Sequence, residues 1–166
     1  MSKAVSQPEL AAVDYDPFAG AALSRVVPTT EPQREVWLAS QLSREASLAY
    51  NESISLQLRG ALDVEALRGA IADLLARHEA LRATVGTDGQ ELRIAASLEI
   101  DIPLVDLAAE PQEARGPAHA RVLRDSVETP FDLGRGPLLR ARVLRLGADD
   151  HVLVFSAHHI VCDGWS

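Results

Sequence analysis

The chain has 166 residues, 47% of them hydrophobic and 24% charged, enough for one globular core. Its formal net charge of −8 argues against a nucleic-acid backbone as partner, because that role needs clustered Lys and Arg to displace counterions. A single cysteine, Cys162, excludes an intrachain disulfide and any zinc site built on paired thiols.

No stretch reaches the roughly 20 apolar residues of a membrane span. Met1 to Ala11 lack the basic start and apolar run of a signal peptide, so the expected address is cytoplasmic. Aromatic residues are only 4% of the chain, which leaves the core to aliphatic side chains.

Residues 1–27 read as a leader, linker or docking segment: periodicity is absent, and Pro17 breaks the run Asp14-Tyr15-Asp16-Pro17-Phe18. Order is expected from residue 28. Thr30 with Gln33 three residues on has the form of a capping box, and Pro32 fits the first turn of the helix it opens. Val36, Trp37 and Leu42 are assigned to one apolar face of that helix. Ile54, Leu56 and Leu58 alternate with Ser55 and Gln57 as in a strand that stops at Gly60.

Asp63 is a good N-cap, and Val64, Leu67, Ile71, Leu74, Leu75 and His78 recur at helical spacing behind it. Leu81 to Val85 reads as a strand. A turn at Asp88-Gly89 joins it to Leu92 and Ile94 in a hairpin. Ile100, Ile102 and Leu104 suggest a further strand, kept short or at an edge by Pro103. Residues 111 to 128 read as a helix interrupted at Gly116-Pro117.

Leu138 to Leu146 form a strand with Arg140 and Arg142 on one face and Leu139, Ala141 and Val143 on the other. Val152-Leu153-Val154-Phe155 is apolar on both faces, as in a central covered strand. From the strand at Ile54 onward the order β-α-β-β-β-α-β-β indicates a mixed sheet with helices packed on it.

That central strand runs directly into Ala157-His158-His159-Ile160-Val161-Cys162-Asp163-Gly164-Trp165-Ser166. A rigid strand ending in a polar turn is where a sheet can hold a reactive group in a crevice. Imidazole suits that place, because it exchanges a proton near neutral pH. The residues alone leave three readings open. The histidines cap the strand, or they ligate a metal with Asp163, or one of them is a base with Asp163 as its distant organiser. The second meets the difficulty that adjacent strand residues point to opposite faces.

The run His158 to Ser166 resembles the HHxxxDG signature of condensation domains, the amide-forming members of the chloramphenicol-acetyltransferase-like acyltransferases. Arg77-His78-Glu79-Ala80-Leu81-Arg82 resembles the family's second motif, RHExLR. Thr30-Glu31-Pro32-Gln33-Arg34-Glu35-Val36-Trp37 partly resembles its first, SxAQxRLW, with Glu35 in place of Arg and Pro32 in place of Ala. No role is carried over from that first motif.

The resemblance, over residues 28–166, implies an α/β (α+β) fold: a mixed, mostly antiparallel sheet with flanking helices. It identifies the chain with the N-terminal lobe alone, the C-terminal lobe being absent, and an isolated lobe is expected to be inactive. The implied reaction joins an acyl or peptidyl thioester to the amine of an aminoacyl thioester in nonribosomal peptide synthesis. Both substrates ride on phosphopantetheine arms of upstream and downstream carrier proteins, next to an adenylation domain. No cofactor or metal is expected to bind directly.

By resemblance, His159 is the catalytic residue, accepting the amine proton or orienting the amine, and the Gly164 N–H is a candidate oxyanion donor. Asp163 forms a structural ion pair with Arg82. His158 is packed away from substrate, Trp165 belongs to the core, and Cys162 is a small buried hydrophobe. His119 and His151 carry no motif and are expected in solvent. The alternatives are a stand-alone coenzyme A-dependent acyltransferase of the same superfamily, and a non-catalytic recruiting module or inactive fragment.

Overall fold

The computed structural model describes residues 23–164. Its first element is a strand, β1 (Leu23–Pro28), paired antiparallel with a later strand; order therefore begins before residue 28. Tyr15, Phe18 and Trp165 lie outside the described residues.

Helix α1 (Glu31–Leu42) opens on the expected capping box. The Gln33 N–H donates to Thr30 Oγ1 at 3.4 Å, and the Thr30 N–H donates to Gln33 Oε1 at 3.0 Å. Val36 and Trp37 pack inward. Leu42 does not share their face and is 81% exposed. Five residues beyond Trp37, it lies well off the apolar stripe at 3.6 residues per turn. A short helix, α2 (Arg44–Leu48), leads into β2 (Asn51–Arg59).

Helix α3 (Val64–Arg77) is capped by Asp63, whose Oδ1 accepts from the Ala66 N–H at 3.0 Å. A 3₁₀ turn (Glu79–Arg82) takes up the start of the expected strand, leaving β3 (Ala83–Val85). The hairpin to β4 (Glu91–Ala95) turns as expected at Gly89, with φ +72°. A Cβ there would lie 2.4 Å from the Trp37 ring, so glycine is required both for the backbone and for the packing of α1 on the turn.

Strand β5 is shorter than the sequence suggests (Leu104–Asp106) and begins after Pro103. Helix α4 (Gln112–Glu128) runs unbroken through Gly116-Pro117. Pro117 removes one hydrogen bond near the exposed start of a 17-residue helix, and the remaining turns carry it through. Strands β6 (Leu139–Gly147) and β7 (Asp150–His158) complete the described chain.

The strands form two sheets rather than one. The first has the order β1-β4-β3, all antiparallel. The second has the order β2-β7-β6-β5, antiparallel except for the parallel β5–β6 pair. The chain is thus an α/β protein with mixed, mostly antiparallel sheets and flanking helices, as expected.

The central strands β6 and β7 of the second sheet are covered on both faces, while β2 is largely exposed. Ile71 and Leu75 of α3 pack with Leu139, Ala141, Val143, Leu153 and Ala157 on one face. Val122 of α4 packs with Leu144, Val152 and Val154 on the other. Strand β7 is therefore the central strand that its apolar run predicts. His151, expected in solvent, is buried within it at 4% exposure, and His119 on α4 is half-buried. A third cluster fills the space beneath the first sheet, where Val85, Leu92, Ile94, Phe131 and Leu138 meet Ile160 and Val161 from the segment after β7.

Candidate active site

Strand alternation separates the two histidines at the end of β7. Val152, Val154, Ser156 and His158 follow one another on the α4 side, and Leu153, Phe155 and Ala157 on the α3 side. His158 is fully buried. Its Nδ1 accepts a hydrogen bond from the Ile160 N–H at 3.2 Å, Phe131 meets its ring edge-on at 6.2 Å, and Tyr50 lies at 6.0 Å. Burial, and secondarily the neighbouring His159, depress its pKa to about 4. At neutral pH it is an uncharged ring with Nδ1 occupied as an acceptor, and it has no route to a substrate.

His159 faces the other way and its side chain is 38% exposed. Its N–H extends the β2–β7 ladder by donating to the Tyr50 carbonyl at 2.8 Å, and its ring stacks over Tyr50 at 6.4 Å and 17°. Nδ1 lies 2.6 Å from Glu52 Oε1, a close contact in which the carboxylate sits off the line of a linear N–H···O bond.

Two cavities flank this segment. One of about 300 Å³ is lined by His159, Ile160, Cys162 and Asp163 together with Thr30 and Gln33 of the α1 start. The other, about 610 Å³, lies between α3 and β2, where Leu74 and His78 face Glu52, Ile54 and Phe155; Cys162, Asp163 and Gly164 close it. The second is large enough for a substantial organic group and mostly apolar in its side chains.

The segment is held from both sides. Ile160 and Val161 are buried in the third cluster. The Gln33 amide donates through Nε2 to the Ile160 carbonyl at 3.2 Å, which ties the first motif to the last. Cys162 is half-buried, and its Sγ lies 3.8 Å from the His158 carbonyl oxygen. Burial first, then the Glu52 and Asp163 carboxylates, push its thiol pKa up, which makes it a poor nucleophile. Gly164 borders the larger cavity with open space around the position a Cβ would take.

Arg82 has other partners than the expected Asp163. It is 6% exposed and spends its donors on main-chain carbonyls: Nε on Ala95 at 2.9 Å, and Nη1 on Leu75 at 2.6 Å and Ala76 at 2.7 Å. The guanidinium thereby caps the end of α3 and clasps β4. This satisfies a buried cation without a carboxylate. Asp163 is exposed and borders both cavities. Among the described residues no group of three or more His, Cys, Asp or Glu could hold a metal ion. No described helix is long and apolar enough to cross a membrane.

Sequence reasoning missed Glu52, Tyr50 and the Gln33–Ile160 link. The first two become neighbours of His159 only through the β2–β7 register, which pairs Asn51 with His158 and Glu52 with Ala157.

The condensation-domain family model matches residues 23–166. The chain belongs to the condensation domain family. A chondramide synthase of Chondromyces crocatus is 41% identical over 143 residues, covering 85% of this chain and 4% of the relative. A phosphinothricin tripeptide synthetase of Streptomyces viridochromogenes is 42% identical over 142 residues, covering 84% of this chain and 13% of the relative. Among solved structures, the starter condensation domain of a rhizomide synthetase superposes with a TM-score of 0.74 at 26% identity, covering 86% of this chain and 36% of that one. The chain therefore spans a small part of the synthetases it matches, and about a third of that condensation-domain structure.

Proposed function

We propose that this chain carries the histidine-bearing lobe of a peptide-synthetase condensation domain, and that His159 is the group that handles the amine. The reading is supported above all by the opposite placement of the two histidines. His158 is sealed and neutral, whereas His159 is half-open and lines the smaller cavity at the end of a stiff central strand, next to Cys162 and Asp163, which border both cavities.

In the proposed reaction the amine nitrogen of an aminoacyl thioester attacks the carbonyl of an acyl or peptidyl thioester. A C–N bond forms, the C–S bond breaks, and the proton lost by the amine ends on the departing thiolate. Nε2 of His159 accepts that proton, or accepts a hydrogen bond that aims the nitrogen lone pair. A positioned base contributes about 10²–10⁴-fold, and holding both reactants together contributes several kcal/mol more. The Gly164 N–H is proposed as donor to the developing oxyanion, since it borders the larger cavity.

The substrates are carried on phosphopantetheine arms of two carrier proteins, supplied by an adenylation domain. A second lobe closes the open side of the larger cavity. In this reading the protein works in the cytoplasm and binds no cofactor of its own, and residues before Leu23 serve as a leader or docking segment.

The test is synthesis of a dipeptidyl thioester by the full two-lobed protein with loaded carriers. The proposal expects product from the parent and its loss in His159→Ala. Turnover in that variant close to the parent's would remove His159 from the chemistry. Product from the 166-residue chain alone would show that the second lobe is dispensable.

A further inference from the structure

We infer that Glu52 is a positioning residue for His159: its carboxylate holds the proton on Nδ1, so that Nε2 presents a bare lone pair to the amine. The inference rests on the reading of His159 given above and adds a residue outside the three motifs.

The geometry follows from strand register. Glu52 is paired with Ala157 across the β2–β7 ladder, so both point to the α3 side of the sheet. His159 lies two residues beyond Ala157 and points the same way, diagonal to Glu52. Such i, j+2 neighbours are within reach of long side chains. Ala157 is small enough to leave that path open, and Glu52 Oε1 arrives 2.6 Å from Nδ1, off the line of a linear N–H···O bond. Its negative charge disfavours a lone pair on Nδ1 and favours the proton there. Tyr50, directly opposite His159, stacks on the ring and limits its rotation.

Other groups also face the imidazole, and Glu52 is the one in close contact with its Nδ1. From the segment after β7 come the Cys162 thiol and the Asp163 carboxylate, and from α1 come the uncharged side chains of Thr30 and Gln33. The adjoining His158 is neutral. As a stability device the pair would matter little, because both side chains are partly exposed, 38% and 44%. Its effect lies in orientation. Which imidazole nitrogen carries the proton is set by the partner of the other one. A base whose far nitrogen is fixed by a carboxylate also takes up a proton with its imidazolium already paired.

The decisive measurement is the ¹⁵N spectrum of the His159 ring in this chain near neutral pH, compared with Glu52→Gln and Glu52→Ala. The parent is expected to show the Nδ1–H form, and both variants a shift towards Nε2–H with unchanged melting temperature. In the full two-lobed protein both variants should lose roughly 10–100-fold in kcat with little change in KM for the loaded carriers. A parent ring already protonated at Nε2, or a tautomer balance indifferent to residue 52, would overturn the inference, as would full kcat in the variants. The spectrum judges Glu52 independently of chemistry. Absence of amide synthesis by the parent protein would instead count against the condensation reading.

Discussion

The two faces of the four-stranded sheet treat the same residue type in opposite ways. On the α4 face β7 ends beneath a complete lid, and His158 is enclosed by Phe131, Tyr50 and the Ile160 main chain. On the α3 face the cover stops short of β2, leaving Ile54 and Leu56 partly exposed and a cavity beside them. His159 emerges on that side. One peptide unit therefore separates a ring that behaves as core from a ring that can meet a substrate. The assignment follows from strand alternation and helix coverage rather than from anything in the histidines themselves.

The sharpest way to break this comparison is to truncate each ring in turn. His159→Ala in the full two-lobed protein is expected to cost about 10²–10⁴-fold in turnover. Its unfolding free energy in urea should change by no more than about 0.5 kcal/mol, as for other partly exposed positions. His158→Ala should do the reverse, lowering stability by about 2–4 kcal/mol through the cavity it opens. Equal stability losses in the two variants would erase the distinction.

Acid should then separate the rings without mutation. His158 titrates at about 4 when folded, against about 6.5 in the unfolded chain, so between those values only the unfolded form takes up the proton. Its contribution is therefore constant above pH 6.5, and stability falls as pH drops through 6.5 towards 4. Between pH 7 and pH 5 the loss from this group is roughly 2 kcal/mol. Urea unfolding at both values checks it, and His158→Leu should flatten the difference. A curve equally steep in that variant would assign the acid sensitivity elsewhere.

The smallest effect is expected at Cys162. Cys162→Ala should change stability by less than about 1 kcal/mol and leave turnover intact, and alkylation of the parent thiol at pH 7 should be slow. Rapid alkylation with loss of activity would bring the sulfur into the site.

Much of this arrangement was legible in the sequence because it is local. The capping box at Thr30, the cap at Asp63, the turn at Gly89 and the two-faced apolar run of β7 each declare themselves within a few residues. The HHxxxDG run marked the segment after β7. What escaped depends on pairing partners far along the chain. Strand β1 has a short alternation that gains meaning only against β4. Glu52 sits in an unremarkable Asn-Glu-Ser run and meets His159 only through the register of β2 on β7. The motif pairs Arg82 with a carboxylate, yet the fold offers it the carbonyl ends of α3 and β4. His151 carries no motif to mark it as buried, although its strand is paired on both sides.

The amide of Gln33 has two ends and both are occupied. Its oxygen closes the cap of α1, while its nitrogen grips the carbonyl of Ile160. A carboxylate in its place would serve the cap equally well and repel that carbonyl, since it has no hydrogen to offer. Glutamate is thus the more damaging replacement the more faithfully it preserves the helix. The first motif accordingly acts as a latch on the histidine turn and lines one wall of the cavity beside His159.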